Sequence, residues 1–140
     1  MKSFNIGFFL LLLVFAVSCD NSSDSGKDTL QKQMNGKWTR INVDEQDYHY
    51  RAFIKFEGND FMFDVPDTTS NGHTDSFAKF RFLDDDTIEF YDDNDCQEDG
   101  IYGVSIKDEE LILTAVNDPC TARMLAINGK WGKTLDNQIN

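Results

Sequence analysis

The chain has 140 residues, enough for one domain, and its 12 phenylalanines against only 2 prolines exclude a disordered tail or a low-complexity repeat. Its formal net charge of −12 at pH 7 excludes nucleic-acid binding, because that affinity depends on basic side chains that displace counterions. An acidic surface instead favours solubility, basic partners and metal cations.

The first eighteen residues have the pattern of an export signal. Lys2 supplies a positive charge, and the apolar run at residues 6–16 is, at about eleven residues, too short to cross a bilayer of about 30 Å as a mature helix. The run leads into Val17-Ser18-Cys19, and small residues before a cysteine resemble the lipobox cleaved by lipoprotein signal peptidase. The resemblance implies a lipoprotein signal peptide at residues 1–18 and acylation of Cys19, palmitate included. The alternative is an ordinary secretory signal that leaves Cys19 as a free thiol.

The residues after Cys19 predict a tether rather than a folded element. Residues 20–28 contain no apolar side chain, so the segment 19–28 is expected to be flexible. Several acyl chains hold a protein on a membrane effectively permanently. The predicted location is the cell envelope, lipid-anchored to the membrane. An acidic, serine-rich tether resembles surface-export signals of Gram-negative lipoproteins, which implies the outer membrane and leaves the leaflet open.

Residues 29–135 are predicted to form the folded domain, with a short tail at 136–140. The segment 30–35 is predicted to form one turn of helix that ends at Gly36, and a first strand is predicted to begin at Trp38. Apolar and polar residues then alternate, or short apolar runs occur, in segments separated by polar turns. These segments are 48–57, 61–65, 76–83, 87–91, 101–107 and 111–116, and an eighth strand is predicted at 120–127.

Eight strands in hairpin succession predict an all-β protein, an eight-stranded up-and-down antiparallel barrel without exposed sheet edges. Three short motifs occur in the predicted barrel: Gly36-x-Trp38, Arg123 on the predicted last strand, and Gly129-x-Trp131-x-Lys133. Together they resemble the small lipocalin-like (calycin-type) lipoproteins of Gram-negative bacteria, over about residues 30–133. The resemblance implies that Gly36, Trp38 and Arg123 close the barrel, with the Arg123 guanidinium packed over the Trp38 ring.

The interior of such a barrel is just wide enough to be filled by side chains or to hold one small ligand. The alternation directs five large aromatic residues inward: Phe56, Phe80, Phe82, Phe90 and Tyr102. The resemblance implies that these residues line a site for a small apolar ligand. Their bulk favours a filled core instead, so both interpretations stay open.

Two cysteines, Cys96 and Cys120, remain in the predicted domain. An up-and-down strand order places their loops at the same barrel end, and an oxidising compartment then favours a disulfide. Closing a loop of about 25 residues stabilises the fold by roughly 3.5 kcal/mol on the chain-entropy model. A metal or redox site is less favoured, because the spacing is not Cys-x-x-Cys and no histidine lies nearby in the sequence.

No motif of a major enzyme class occurs, and neither His49 nor His73 has a catalytic companion in the sequence. The acidic stretch 92–99 lacks the glycine and glutamate positions of an EF-hand, which predicts a solvated loop without metal or cofactor. The sequence thus predicts a non-enzymatic, lipid-anchored binding module for a small apolar ligand. The alternative is an interaction or inhibitor protein that binds a basic protein through acidic loops at 84–86 and 92–99.

Overall fold

The computed structural model describes residues 24–43, 47, 49–65 and 75–134, which form a closed eight-stranded antiparallel barrel. Each strand pairs with the next in sequence, and the last pairs with the first, so the predicted fold class is confirmed. The elements are α1 (Asp24–Met34), β1 (Gly36–Val43), β2 (His49–Glu57), β3 (Asp60–Asp64), β4 (Ser76–Phe82), β5 (Thr87–Tyr91), β6 (Gly100–Lys107), β7 (Glu110–Asn117), α2 (Thr121–Ile127) and β8 (Gly129–Lys133).

Several predictions concern residues outside those described. The signal peptide at 1–18, Cys19, His73 and the tail at 136–140 all lie there. Within the described ranges, neither helix has the length and apolar character needed to cross a membrane.

Helix α1 is longer than the single predicted turn, and it begins inside the segment predicted to be a tether. Leu30 and Met34 are four residues apart and therefore lie on one face of the helix. Met34 is fully buried and Leu30 packs against the core. Gln31 also donates a hydrogen bond from Nε2 to the carbonyl oxygen of Gly58, 3.1 Å away, at the β2–β3 turn. These contacts supply the stabilisation that a short isolated helix lacks in water.

The barrel centre is filled by aromatic rings, as the period-two alternation indicates. Phe56, Phe80, Phe90 and Tyr102 are each 1% exposed or less. Phe56 meets Phe80 edge to face at 5.1 Å between ring centroids, and Phe90 meets Tyr102 at 5.3 Å. Phe82 is only partly buried and lies 6.3 Å from Phe80. Such offset and edge-on contacts are the favoured geometry of packed aromatic cores.

The predicted eighth strand at 120–127 is wrong. This segment forms helix α2, and the eighth strand lies after it, at Gly129–Lys133. The segment is rich in alanine, methionine and leucine, which are strong helix formers. Its two buried residues, Arg123 and Ile127, are four apart and so lie on one helical face. Gly129, with φ of +123°, then redirects the chain into the strand.

The same four residues, Asn-Gly-Lys-Trp, lead from each helix into a closing strand, at 35–38 and at 128–131. The indole Nε1 of Trp38 donates to the carbonyl oxygen of Met34 at 2.7 Å. The indole Nε1 of Trp131 donates in the same way to Ile127 at 2.9 Å. Because β1 and β8 are antiparallel, the two copies close opposite ends of the barrel.

Arg123 does not cover Trp38, contrary to the prediction. The cation over the Trp38 ring is Lys133, whose Nζ lies 4.8 Å from the ring centroid. Arg40 lies over the Trp131 ring in the reciprocal position, 4.2 Å from its centroid. Trp38 does lie at the barrel closure, since it pairs with Lys133 across β1 and β8. The prediction for Arg123 required a strand, and a helix directs its side chain elsewhere.

Candidate functional site

The predicted disulfide between Cys96 and Cys120 is present, with the two Cα atoms 5.8 Å apart. It joins the β5–β6 loop to the segment that enters α2. Residues 92–99 and 118–128 therefore lie together at one end of the barrel, which we call the α2 end. The β2–β3, β4–β5 and β6–β7 turns lie at the opposite end, which we call the α1 end, because strand connections alternate between ends in an up-and-down barrel.

A buried ion-pair network centred on Arg123 holds the α2 end together. The guanidinium donates to both carboxylate oxygens of Asp118, at 2.8 Å each, and to Asp93 at 3.0 Å. It also donates to the carbonyl oxygen of Glu98 at 2.8 Å. The side chains of Arg123, Asp93 and Asp118 are at most 3% exposed. A buried charge is tolerated only when it is paired and hydrogen-bonded in this way.

The network extends into the barrel through Tyr102, whose hydroxyl donates to Asp118. Asp118 accepts a further bond at 2.8 Å from the backbone N–H of Cys120, beside the disulfide. Gly100 makes room for this arrangement, since a Cβ there would lie 2.5 Å from Nη2 of Arg123. The aromatic core and the α2 end are thus connected by one continuous polar cluster.

The ionisation states of the network follow from its contacts. Burial alone would raise the pKa of Asp118, but hydrogen bonds from Arg123 and Tyr102 hold that pKa below its ordinary value. Burial alone would lower the pKa of Arg123, and its two carboxylate partners instead raise it above the ordinary value. Burial and the bond to Asp118 raise the pKa of Tyr102. At neutral pH the network therefore holds an ionised pair and a protonated tyrosine.

The β5–β6 loop is also fixed to the start of β4. Asn94 accepts a hydrogen bond at its Oδ1 from the backbone N–H of Phe77 at 2.6 Å, and its own N–H donates to the Phe77 carbonyl at 3.0 Å. Asp93 accepts at Oδ1 from the backbone N–H groups of Asp95 and Cys96. The loop predicted to be merely solvated is thus ordered by an ion pair, a disulfide and a strand.

A cavity of about 120 Å³ lies at the α2 end beneath α2. Its walls are mostly apolar and include a few polar groups. The lining residues are Phe61, Phe63, Ser76, Asp93, Asp95, Cys96, Ala122, Arg123, Ala126 and Ile127. The predicted ligand-facing residues Phe56, Phe80, Phe82, Phe90 and Tyr102 do not line it. The sequence does not predict this cavity, because its α2 wall falls within the strand predicted at 120–127.

A second depression, of about 270 Å³, lies at the α1 end, where α1 meets the β2–β3 turn. It is open to solvent and lined by Asp28, Gln31, Lys32, Asn35 and Gly58. Sites for small molecules are mostly apolar and concave. The cavity at the α2 end fits that description better.

The other groups named in the sequence analysis lie apart from one another where the structure describes them, and His73 lies outside the described residues. His49 is exposed at the start of β2. In the part of the chain that the structure describes, no three His, Cys, Asp or Glu residues are placed to hold a metal ion. The acidic loop at 84–86 lies at the α1 end, opposite the loop at 92–99.

Comparison with protein-family models, with curated proteins and with solved structures finds no match to this chain. The eight-stranded antiparallel barrel is established by the strand pairing itself. Of the three motifs that resemble lipocalins, the two Gly-x-Trp motifs lie at the starts of β1 and β8 as expected. Arg123 lies on α2 and not on the last strand. What the α2 end can bind must therefore follow from its own walls.

Proposed function

We propose that the protein is a non-enzymatic, lipid-anchored extracytoplasmic binding module of lipocalin-like type, which holds a small apolar group at the α2 end. The observation that carries the proposal is the cavity of about 120 Å³ walled by Phe61, Phe63 and Ile127. An engineered apolar cavity of about 150 Å³ holds benzene, so a single ring or a short branched chain is a suitable occupant. The barrel centre is a poor site, because aromatic rings already fill it.

The predicted anchor supports an orientation for this site. Cys19 precedes the start of α1 at Asp24 by five residues, which span at most roughly 18 Å when extended. The first turn of α1 lies at the α1 end, where Gly26 approaches the Asp85 carboxyl group. An acylated Cys19 would thus place the α1 end near the bilayer. The cavity at the α2 end would then face away from the membrane.

The alternative, an interaction protein that binds a basic partner through both acidic loops, has less support. Asp84, Asp85 and Asp86 are exposed, as are most acidic residues of the loop at 92–99. The two loops lie at opposite ends of the barrel, so a single contact surface on one partner would not reach both. Asp93 is also committed internally to Arg123.

The binding proposal is tested with a neutral probe of one ring, 2-phenylethanol. The full-length protein in a nonionic detergent is titrated and followed by amide chemical shifts. We expect saturable shifts at Ala122, Ala126 and Ile127, with millimolar affinity, since a ligand of this size gains little free energy beyond the cost of association. Ala122→Leu fills the cavity and should abolish them, whereas Thr121→Leu, on the same helix but outside the cavity walls, should not. Shifts that do not saturate, or that persist in Ala122→Leu, would contradict the proposal.

The anchor is tested separately by labelled palmitate. Wild-type protein should incorporate the label and fractionate with membranes. Cys19→Ala should incorporate no label, and it should either be released from the membrane or keep its signal uncleaved. Label incorporation that is unchanged in Cys19→Ala would show that the acylation site lies elsewhere.

A further inference from the structure

The cavity at the α2 end is lined by both apolar and charged residues. Its apolar lining residues are Phe61, Phe63, Ala122, Ala126 and Ile127, and its charged ones are Asp93, Asp95 and Arg123. The single positive charge in the wall is already neutralised, because Arg123 is paired with Asp93 and, from behind the wall, with Asp118. The excess charge at the cavity is therefore negative.

Asp95 is the group that a ligand can reach. It is exposed, and of its atoms only the backbone N–H makes a hydrogen bond, to Asp93, within the residues that the structure describes. Its carboxylate forms no ion pair there. Asp93 differs, since its two carboxylate oxygens are occupied by Arg123 and by backbone N–H groups. A ligand that enters the cavity thus meets an unpaired carboxylate among the lining residues.

We propose that this cavity selects small organic amines, in which an apolar ring or branched chain enters between α2 and β3 and the ammonium group pairs with Asp95. The inference rests on the proposed binding function and specifies the ligand class. Apolar walls beside a charge of one sign focus its field, so a cation gains more here than on an open surface. A ligand carboxylate would be repelled by Asp95 and Asp93, which both line the cavity, and is disfavoured.

The charge on the ligand can be varied while its ring is kept. Phenethylamine, 2-phenylethanol and phenylacetate share a phenyl ring and a two-carbon chain, and they are cationic, neutral and anionic at pH 7. Titration of the full-length protein in nonionic detergent should rank them in that order. We expect phenethylamine to bind about five-fold more tightly than 2-phenylethanol, which is the upper end of what one exposed ion pair contributes. Raising the salt concentration from 0.15 to 0.5 M should reduce that ratio.

Asp95→Asn should bring the affinity for phenethylamine close to that for 2-phenylethanol and leave the alcohol unaffected. Asp99→Asn is the matched control, because Asp99 is exposed in the same loop, does not line the cavity, and gives the same change in net charge. It should keep the preference for the amine. Amide spectra of both variants should match wild type away from the substituted loop.

The outcomes separate this inference from the function on which it rests. If the amine and the alcohol bind the cavity with equal affinity, the binding function stands and the selection of amines is wrong. If Asp99→Asn lowers amine affinity as much as Asp95→Asn, the preference reflects net charge rather than this site, and the inference is likewise wrong. If no probe shows saturable binding, both the function and the inference fail.

Discussion

Asp118→Asn tests whether the α2 end depends on its buried ion pair. The substitution keeps the size of the side chain and removes its charge. Asp118 accepts hydrogen bonds from Arg123, Tyr102 and the backbone of Cys120, and its side chain is fully buried. The side-chain amide of asparagine would direct its own N–H groups at these donors, where Asp118 has only acceptor oxygens. Among the described residues, Asp93 is then the one carboxylate that still pairs with Arg123.

The expected loss of stability is large. Removing one partner of a buried ion pair leaves an uncompensated charge and costs about 3–5 kcal/mol. The free energy of unfolding of a native protein is about 5–15 kcal/mol, so Asp118→Asn should remove a substantial share of the stability. Because Asp93 still pairs with the guanidinium, we expect the loss of unfolding free energy to be about 3 kcal/mol, the lower end of that range.

Urea unfolding, followed by tryptophan fluorescence, measures this loss as a lower midpoint with an unchanged slope. The matched control is Glu110→Gln, which removes one partner of the exposed Lys130–Glu110 pair, 3.1 Å apart. That pair should contribute about 0–1 kcal/mol. Equal losses in the two variants would refute the argument that burial makes the Asp118 pair important.

The same residue predicts how stability depends on pH. The folded-state pKa of Asp118 is depressed below its unfolded value, so its contribution is fully present above the unfolded pKa of about 3.9 and is lost as pH falls through the folded pKa. The stability difference between wild type and Asp118→Asn should therefore be constant from pH 7 to about 5 and shrink below about 4. A difference that grows on acidification would contradict this sign.

Three further changes test other parts of the fold by the same unfolding assay. Gly100→Ala should lower the free energy of unfolding by about 1–3 kcal/mol, because the added Cβ would lie 2.5 Å from a guanidinium nitrogen. Gly103→Ala should lower it less, since its added Cβ would lie 3.8 Å from the nearest atom. Phe90→Ala should cost about 3–5 kcal/mol, and a smaller loss would show that the barrel centre is loosely packed. Replacing Cys96 and Cys120 together by serine should cost roughly 3.5 kcal/mol, and an unchanged midpoint would show that the disulfide does not constrain the unfolded chain.

The strands were the most predictable part of the molecule. Alternation with period two locates a strand and also assigns its inward face, because side chains on a strand point to opposite sides in turn. Phe80 and Phe90 were expected inside on that ground, and both are fully buried. The disulfide followed from the strand order together with the expected oxidising compartment, since alternating connections bring the loops of Cys96 and Cys120 to one end.

The sequence contains a pattern that argues against the strand predicted at 120–127. Asn-Gly-Lys-Trp occurs at 35–38 and again at 128–131, and the first copy was interpreted as the end of a helix followed by a strand. The same interpretation of the second copy predicts α2 before Gly129 and β8 after it. Helix-forming residues between Cys120 and Asn128 agree with it.

Hydrophobic periodicity was enough to predict the barrel architecture, because it is a local property and hairpin order brings neighbouring segments together. Tertiary structure alone decided the partners of Arg123 and the cavity beside it. Those depend on the direction of one seven-residue helix, which brings Arg123 to Asp93, a residue 30 positions earlier in the chain. A short helix is stabilised mainly by what it packs against, so its contacts become apparent only when the barrel end is assembled.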